Sequence, residues 1–544
     1  MRGSGHPGDS TDEASIRPFY FPEIVLAGKR SPNSAVDAKA TRHLPRREVV
    51  LFSLCLTVLT AVSLWPLWAN RFLPMQDYPQ HLFLAHVITT YDNPLFNWKE
   101  FYRVDLGVHP YMLWYLAMNM LGRVVDIEIA GKILFSLYIL LITLLALVAR
   151  RLAPKDHLPW GALLLYPFAF NQMYYLGFSN YIISLPLLFL AVLDLDHPAQ
   201  GITVGRIARH GVYCLLLFLN HPYTVLVYIA LTATTALCSW GNRAEFLRRL
   251  LPAGAMCLIF TVWYLIQHGS GSAPTTQPWS IFWWPPIGTV AYYLLQFTGM
   301  RLTEGPDWLT VGLWGSIALL FMLSRQRREN GNESWRRLAA LYCVSLAGFL
   351  VLPFWMGYYS YFNLRLAPVS YFALSLLLCK VRITSRSGMV LALPVLALLV
   401  ISIQTQKAVV RETETILPVV SAAKKNSLIL PLMFNSAAAA IDPIFFYQLH
   451  AHEGDYYHLL VGGGANPTLF PNAMMPVQYQ PDLRLPYPER AESFTWRDHG
   501  RYYDYLLVRQ APPELYRSLA LTCTLVATSG PWRLFQNKVG HEPL

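Results

Sequence analysis

The sequence predicts an α-helical polytopic membrane protein: about eleven transmembrane helices, interfacial helices in a long first outer loop, and a small C-terminal extracytoplasmic α/β domain. Three observations carry this. Hydrophobic residues make up 54% of the 544-residue chain and charged residues only 14%, far below the roughly 25% charged content of soluble domains. The apolar residues are gathered into runs of helix length, and a hydrocarbon core about 30 Å thick needs roughly 17 to 25 such residues per crossing. The charges fall in the gaps between these runs. The net charge of +11 is therefore spread through short connections and does not form the single basic face that binds nucleic acid.

In order along the chain, residues 1–45 are rich in Ser, Gly, Pro and charge and form a flexible cytoplasmic tail. The first apolar run starts near Val49 and is long enough to span, so it acts as an uncleaved first helix and not as a removed signal. Spans follow at 48–69, 129–149, 158–171, 175–193, 207–220, 222–239, 247–267, 307–323, 337–356, 361–379 and 388–405. With the N-terminus cytoplasmic, the inner connections hold sixteen Lys and Arg residues, from Arg150 to Arg386, and the outer ones only seven. That asymmetry is how orientation is written in membrane proteins. It places residues 46–405 in a transmembrane domain and 406–544 in a soluble domain outside, in a bacterial inner membrane.

The segment HPYMLWYLAMNMLG, 109–122, is apolar but short, and is expected as a helix in the outer interface with its aromatic rings at headgroup level. A second long outer loop runs over 268–306 and carries PWSIFWWPPIGTVAYYLLQF. Six of seven cysteines lie in apolar runs, which leaves no disulfide framework and no CxxC metal pattern. No fixed-period repeat is visible.

The stretch LPMQDYPQHLFLAH, just after the first span, holds the leading chemical candidates, Asp77 and His81, one helical turn apart. An aspartate at a membrane boundary is costly unless it meets a polar cavity, a partner or a ligand. Two readings stay open for it: a cap on the helix that starts at Tyr78, or a base or metal ligand under the first loop. His81 either orients Asp77 or packs. Arg365, in the first turns of an apolar span, either snorkels or holds an anion, for which a guanidinium is suited. Arg301, Glu304 and Asp307 cluster in the second long loop. Asn171, Asn180 and His221 mark outer ends of spans, where turn chemistry and cavity lining are both open, and Tyr78 is a further cavity candidate. HAHEGDYYH offers His450, His452, Asp455 and His458, close in sequence but with nothing to fix a metal geometry.

This layout resembles the GT-C superfamily of polytopic membrane glycosyltransferases: one span, a long outer loop with an acid close behind it, an interfacial helix, a span ending in Arg150 and Arg151, further spans and an outer C-terminal domain. The resemblance covers about 48–405. It implies transfer of a sugar from a polyprenyl phosphate to an outer hydroxyl on a glycan, lipid or protein, in one inverting step. Asp77 is then the acceptor-side base or the ligand of a divalent metal, and Arg365 with Arg301 holds the donor phosphate. Many members carry a second acid in a later outer loop. Here NQMYYLGFSNY has none, so either Asp105, Glu304 or Asp307 has to serve or the role is absent. No organic cofactor is expected. The rival class is a polytopic transporter or flippase, against which stands the near absence of charge at mid-span.

Overall fold

The computed structural model describes residues 44–195, 203–269, 281–283, 312–317, 333–356, 360–441, 448–470 and 475–542. Among the described residues, eleven helices of eleven residues or more carry the part up to Glu414: α1 Arg46–Ala69, α2 Tyr78–Thr90, α3 Met112–Gly122, α4 Ile127–Val148, α5 Ser179–Leu195, α6 Val204–Asn220, α7 Pro222–Leu237, α8 Arg243–Gly269, α9 Glu333–Val351, α10 Leu366–Leu378 and α11 Ser385–Glu414. Among the described residues, four stretches are helical, long and apolar enough to cross a membrane: Arg46–Ala69, Ile127–Arg151, Arg243–Ile266 and Ser385–Val420. Shorter apolar helices are Ser179–Leu195, Ile207–Asn220, Pro222–Leu237 and Leu366–Leu378. Of the expected span at 307–323, only 312–317 is among the described residues, and it is helical.

The outward surface of the long helices is apolar. Leu54, Val58, Trp65 and Trp68 of α1, Leu137, Leu140, Leu144 and Leu147 of α4, and Leu251, Leu258 and Leu265 of α8 are all exposed. Contiguous apolar surface on this scale is what lipid covers, and the pair of tryptophans at the end of α1 is an interfacial signature. The chain is an integral membrane protein.

The segment expected as a span at 158–171 is a different object. It folds as two 3-10 segments, Trp160–Leu165 and Pro167–Phe170, whose residues are all buried. Pro167 cannot donate to an α-helical ladder, and its ring clashes with the carbonyl four residues back, so the run breaks there. Irregular backbone is tolerated at membrane depth when protein surrounds it. Here α10 and α11 do so, tightly enough that a Cβ on Gly388 would sit 2.1 Å from the Trp160 ring.

Helix α11 outruns its expected end at 405. Its 30 residues span about 45 Å, more than the hydrocarbon core, and it carries Glu412 and Thr413 into the C-terminal region. There β4 Ile429–Met433, β6 Tyr505–Arg509, β8 Trp532–Asn537 and β7 Cys523–Ser529 form one sheet in the order β4-β6-β8-β7. The first pair is parallel and the others antiparallel, with Leu430 opposite Leu506 and Leu506 opposite Phe535. Helix α12, Pro513–Thr522, packs on β7.

The long connection between α1 and α4 is tied to this region. Strand β1, Tyr102–Val104, pairs antiparallel with β5, Val477–Tyr479, and Arg103 Nη2 donates to Gln478 Oε1 at 2.6 Å. Helix α3 forms where the sequence indicates, but its aromatic residues are not at a headgroup surface. Trp114 and Tyr115 are buried, and the helix packs on α2, α4 and α6. The remaining pairing joins β2 Ile281–Phe282 to β3 Trp355–Met356.

Candidate functional site

Asp77 is held by its backbone. As the chain leaves α1, Gln76 N donates to Tyr175 O at 2.8 Å and Asp77 N to Leu176 O at 3.2 Å. The next residue on that opposing loop is Gly177, at φ +82°, where a Cβ would lie 2.7 Å from Asp77 N. Only glycine permits both that conformation and that approach. Asp77 occupies the N-cap position of α2, yet its side chain makes no capping hydrogen bond. Its Oδ1 instead meets Gln76 Nε2 at 3.4 Å and His452 Nε2 at 3.7 Å.

With its side chain only 14% exposed, the Asp77 carboxyl is pushed up to about 7, chiefly by burial. The Gln76 contact and the positive charge of Arg365 pull it partly back. Burial disfavours the charged form of a carboxyl, and a nearby cation opposes that. Asp77 is thereby poised to take a proton near neutral pH, and Arg365 is near enough for its charge to act on it.

Arg365 sits just before α10, largely buried. Its guanidinium lies over the rings of Phe178 at 4.7 Å, Tyr223 at 5.4 Å and Tyr181 at 6.0 Å. The cage is fixed by its hydroxyls: Tyr181 OH donates to Arg365 O, and Tyr223 OH to Phe362 O at 2.7 Å. Rings stabilise the cation without consuming its N–H donors. Arg365 Nε has no hydrogen-bond partner, and no carboxylate forms an ion pair with this side chain among the described residues. Tyr361, at φ +59° on the turn leading to Arg365, feels both the Asp77 and the Arg365 charge.

Beside this cage runs an apolar groove of about 470 Å³ between α7, α9 and α10. Leu226, Ala230, Val344 and Gly348 line it, and it shares Tyr223 and Leu366 with the surroundings of Arg365. Leu226, Val344 and Val351 on its walls are exposed on the apolar surface.

The other candidates separate. His81 Nδ1 contacts Tyr115 OH at 2.6 Å, its ring packs on Phe470, and burial pushes it down to about 3, so it is a neutral packing partner of α3. Tyr78 lies in the core, its ring against Trp114 and Phe135. His221 is the N-cap of α7, its Nδ1 accepting from Tyr223 N at 3.1 Å, with its ring against Tyr111 and Tyr181. Asn171 caps a short helix by accepting from Met173 N at 2.9 Å. Asn180 is buried with neither amide atom hydrogen-bonded. Asp105 is an exposed turn residue accepting from Gly107 N at 2.9 Å. Arg301, Glu304 and Asp307 lie outside the described residues.

HAHEGDYYH does not converge on one point. His450 Nε2 meets Glu412 Oε1 at 3.1 Å and its Nδ1 meets Glu453 Oε1 at 2.8 Å, while Arg509 Nη2 reaches Glu412 Oε1 at 2.5 Å. Asp455 accepts from Asn466, and His458 Nδ1 faces Gly463 O at 2.9 Å. Only His452 turns to Asp77. No three His, Cys, Asp or Glu side chains converge as metal ligands would among the described residues. Among the described residues the donor set at Asp77 is one carboxylate and one imidazole, fewer ligands than a divalent ion takes. His452 is the site residue that sequence reasoning left unassigned. The cluster was visible, but nothing local says which of its imidazoles meets the first loop.

No protein-family model and no curated protein matches this sequence. Among solved structures, the chain is similar to ArnT from Cupriavidus metallidurans, crystallised bound to undecaprenyl phosphate. The match has 12% identity and a TM-score of 0.42, and covers 91% of this chain and 99% of that one.

Proposed function

We propose that this chain is a GT-C-like membrane glycosyltransferase, moving a sugar from a polyprenyl-phosphate carrier to a hydroxyl on an extracytoplasmic acceptor. One observation carries the reading. A carboxyl held near neutral and a ring-caged arginine with no carboxylate partner among the described residues share one site, and an apolar groove adjoins that arginine. This combination suits a ligand with a phosphate head and a hydrocarbon tail.

The tail takes the groove and the phosphate takes the N–H donors of Arg365, a cation whose fork geometry matches phosphate oxygens. The acceptor hydroxyl comes to Asp77. Its oxygen attacks the anomeric carbon as the bond from that carbon to the phosphate oxygen breaks, with inversion. The hydroxyl proton passes to the Asp77 carboxylate, and the bonding electrons leave with the polyprenyl phosphate. Removal of that proton by a positioned base contributes about 10² to 10⁴ in rate. Arg365 stabilises the charge growing on the departing phosphate, an effect worth about 10² to 10³ for one well-placed donor. The proton work is assigned to Asp77, the carboxyl held near neutral.

The test is reconstitution in liposomes with a polyprenyl-phosphate sugar labelled in the sugar. The transferase reading predicts label moving to acceptor with release of polyprenyl phosphate. Movement of intact labelled lipid between leaflets, with the sugar–phosphate bond unbroken, would support a flippase in its place.

A further inference from the structure

We propose that His452 is the positioning residue of the proton acceptor: its Nε2–H donates to Asp77 Oδ1, fixing the carboxylate and leaving Oδ2 for the acceptor hydroxyl. For the reaction it rests on the transferase reading. For the contact itself it rests on geometry alone.

The contact joins the first outer loop to the C-terminal region. His452 Nε2 stands 3.7 Å from Asp77 Oδ1, longer than a hydrogen bond, as such pairs often are before substrate tightens them. Both flanks of His452 are clamped. On one side His450 is locked between Glu412 and Glu453, with Arg509 closing the network on Glu412. On the other, Asp455 is held by Asn466, whose backbone N donates to Tyr102 OH at 2.7 Å. The His452 ring rests near Phe470, centroids 5.7 Å apart. From the opposite direction, Gln76 Oε1 accepts from Gln448 N at 2.9 Å, joining the two segments again beside the carboxylate. Such a frame aims one imidazole at one oxygen.

The tautomer follows from the partners. His452 is half-buried, its side chain 21% exposed, and desolvation pushes it down to about 4, so it is neutral at working pH and carries one N–H. Its Nδ1 is buried without a hydrogen-bond partner. An N–H there would be orphaned, whereas at Nε2 it faces a carboxylate. The groups facing Asp77 among the described residues are Gln76 from its own segment, Arg365 before α10, Tyr361 on the preceding turn, Tyr115 from α3 and His452. Of these, Gln76 and Arg365 pull the carboxyl toward its ionised form; the proposed His452 donor adds to them, so its removal makes Asp77 harder to ionise.

The experiment reads Asp77 directly. A hydrophobic carbodiimide modifies protonated carboxyls, so the pH at which Asp77 is half-protected, followed by peptide mass spectrometry, reports its titration. His452→Phe keeps the ring against Phe470 and removes the donor, His452→Leu is a second non-donor should the first not accumulate, and His452→Gln keeps a donor. We expect the protection midpoint to rise by about one pH unit, a tenfold shift in the ionisation equilibrium, in Phe or Leu and to stay at the wild-type value in Gln. Sugar transfer should fall at least tenfold in the non-donor variants with unchanged KM for the lipid donor, and return in Gln. An unshifted midpoint in Phe and Leu overturns the positioning role. A shifted midpoint in a protein that transfers no sugar upholds the contact and removes the transferase reading instead.

Discussion

At the residue scale, Asp77 and Arg365 set what this surface can do. Asp77 holds a pKa near 7 mainly because it is buried, so its proton-accepting form is lost as pH falls. The transfer rate should drop with a slope of one per pH unit below about 7, read as kcat/KM against pH. The sign for stability is opposite. A carboxyl whose folded pKa lies above its unfolded value of about 3.9 stabilises the fold most at low pH, and that contribution is lost as pH rises through about 7. Asp77→Asn should therefore raise the melting temperature above pH 7 while abolishing transfer, the stability–function trade of a site held under strain. Arg365→Lys keeps a charge but loses the planar fork, and should cost roughly tenfold or more in donor binding, measured by titration with a polyprenyl phosphate. The sequence made both residues conspicuous, because ionisable groups at a membrane edge are costly. It did not show that Asp77 leaves its capping role unfilled, because that depends on Gln76, His452 and the loop at Gly177, two of them remote in sequence.

At the element scale, the buried network around Arg509 joins the membrane part to the sheet. Helix α11 delivers Glu412, β6 delivers Arg509, and the loop before them in space delivers His450 and Glu453. Glu412→Ala would leave the buried Arg509 without its carboxylate, a loss of about 3 to 5 kcal/mol, seen as a lower unfolding midpoint in detergent. His450 is raised above its ordinary value by hydrogen bonds to Glu412 and Glu453, which outweigh its burial. Its contribution is thus present below pH 6.5 and lost as pH rises through the raised folded pKa, so this region should loosen as pH rises, as hydrogen exchange of 448–460 would report. Span helices were legible wherever apolar runs were long and uninterrupted, as in α1, α4 and α8. The run at 158–171 misled because composition alone cannot distinguish a lipid-facing helix from a buried 3-10 segment broken at Pro167. The true end of α11 was hidden for the converse reason, since residues 406–414 are polar and read as loop while continuing the helix.

At the scale of the whole molecule, the account requires a lipid-facing groove, a phosphate-binding cation and a base in one line. The groove between α7, α9 and α10 meets the Arg365 cage through Tyr223 and Leu366, and Arg365 acts electrostatically on Asp77. Filling the groove should separate tail binding from chemistry: Ala347→Trp, on its exposed wall, should raise KM for a long-chain donor about tenfold while sparing a short-chain one. The membrane character could be read from composition and from the long apolar runs. The convergence of residues from the first loop, α10 and the C-terminal region could not, because it is set by β1–β5 pairing and by contacts between distant segments. The most direct test of the central claim is sugar transfer by reconstituted Asp77→Asn, compared with wild type across pH 5 to 9 with a labelled polyprenyl-phosphate sugar. The account predicts a loss of at least about 10² at pH 7 and above, a gap that narrows below about pH 7 as wild-type activity declines. Full transfer by Asp77→Asn would contradict it.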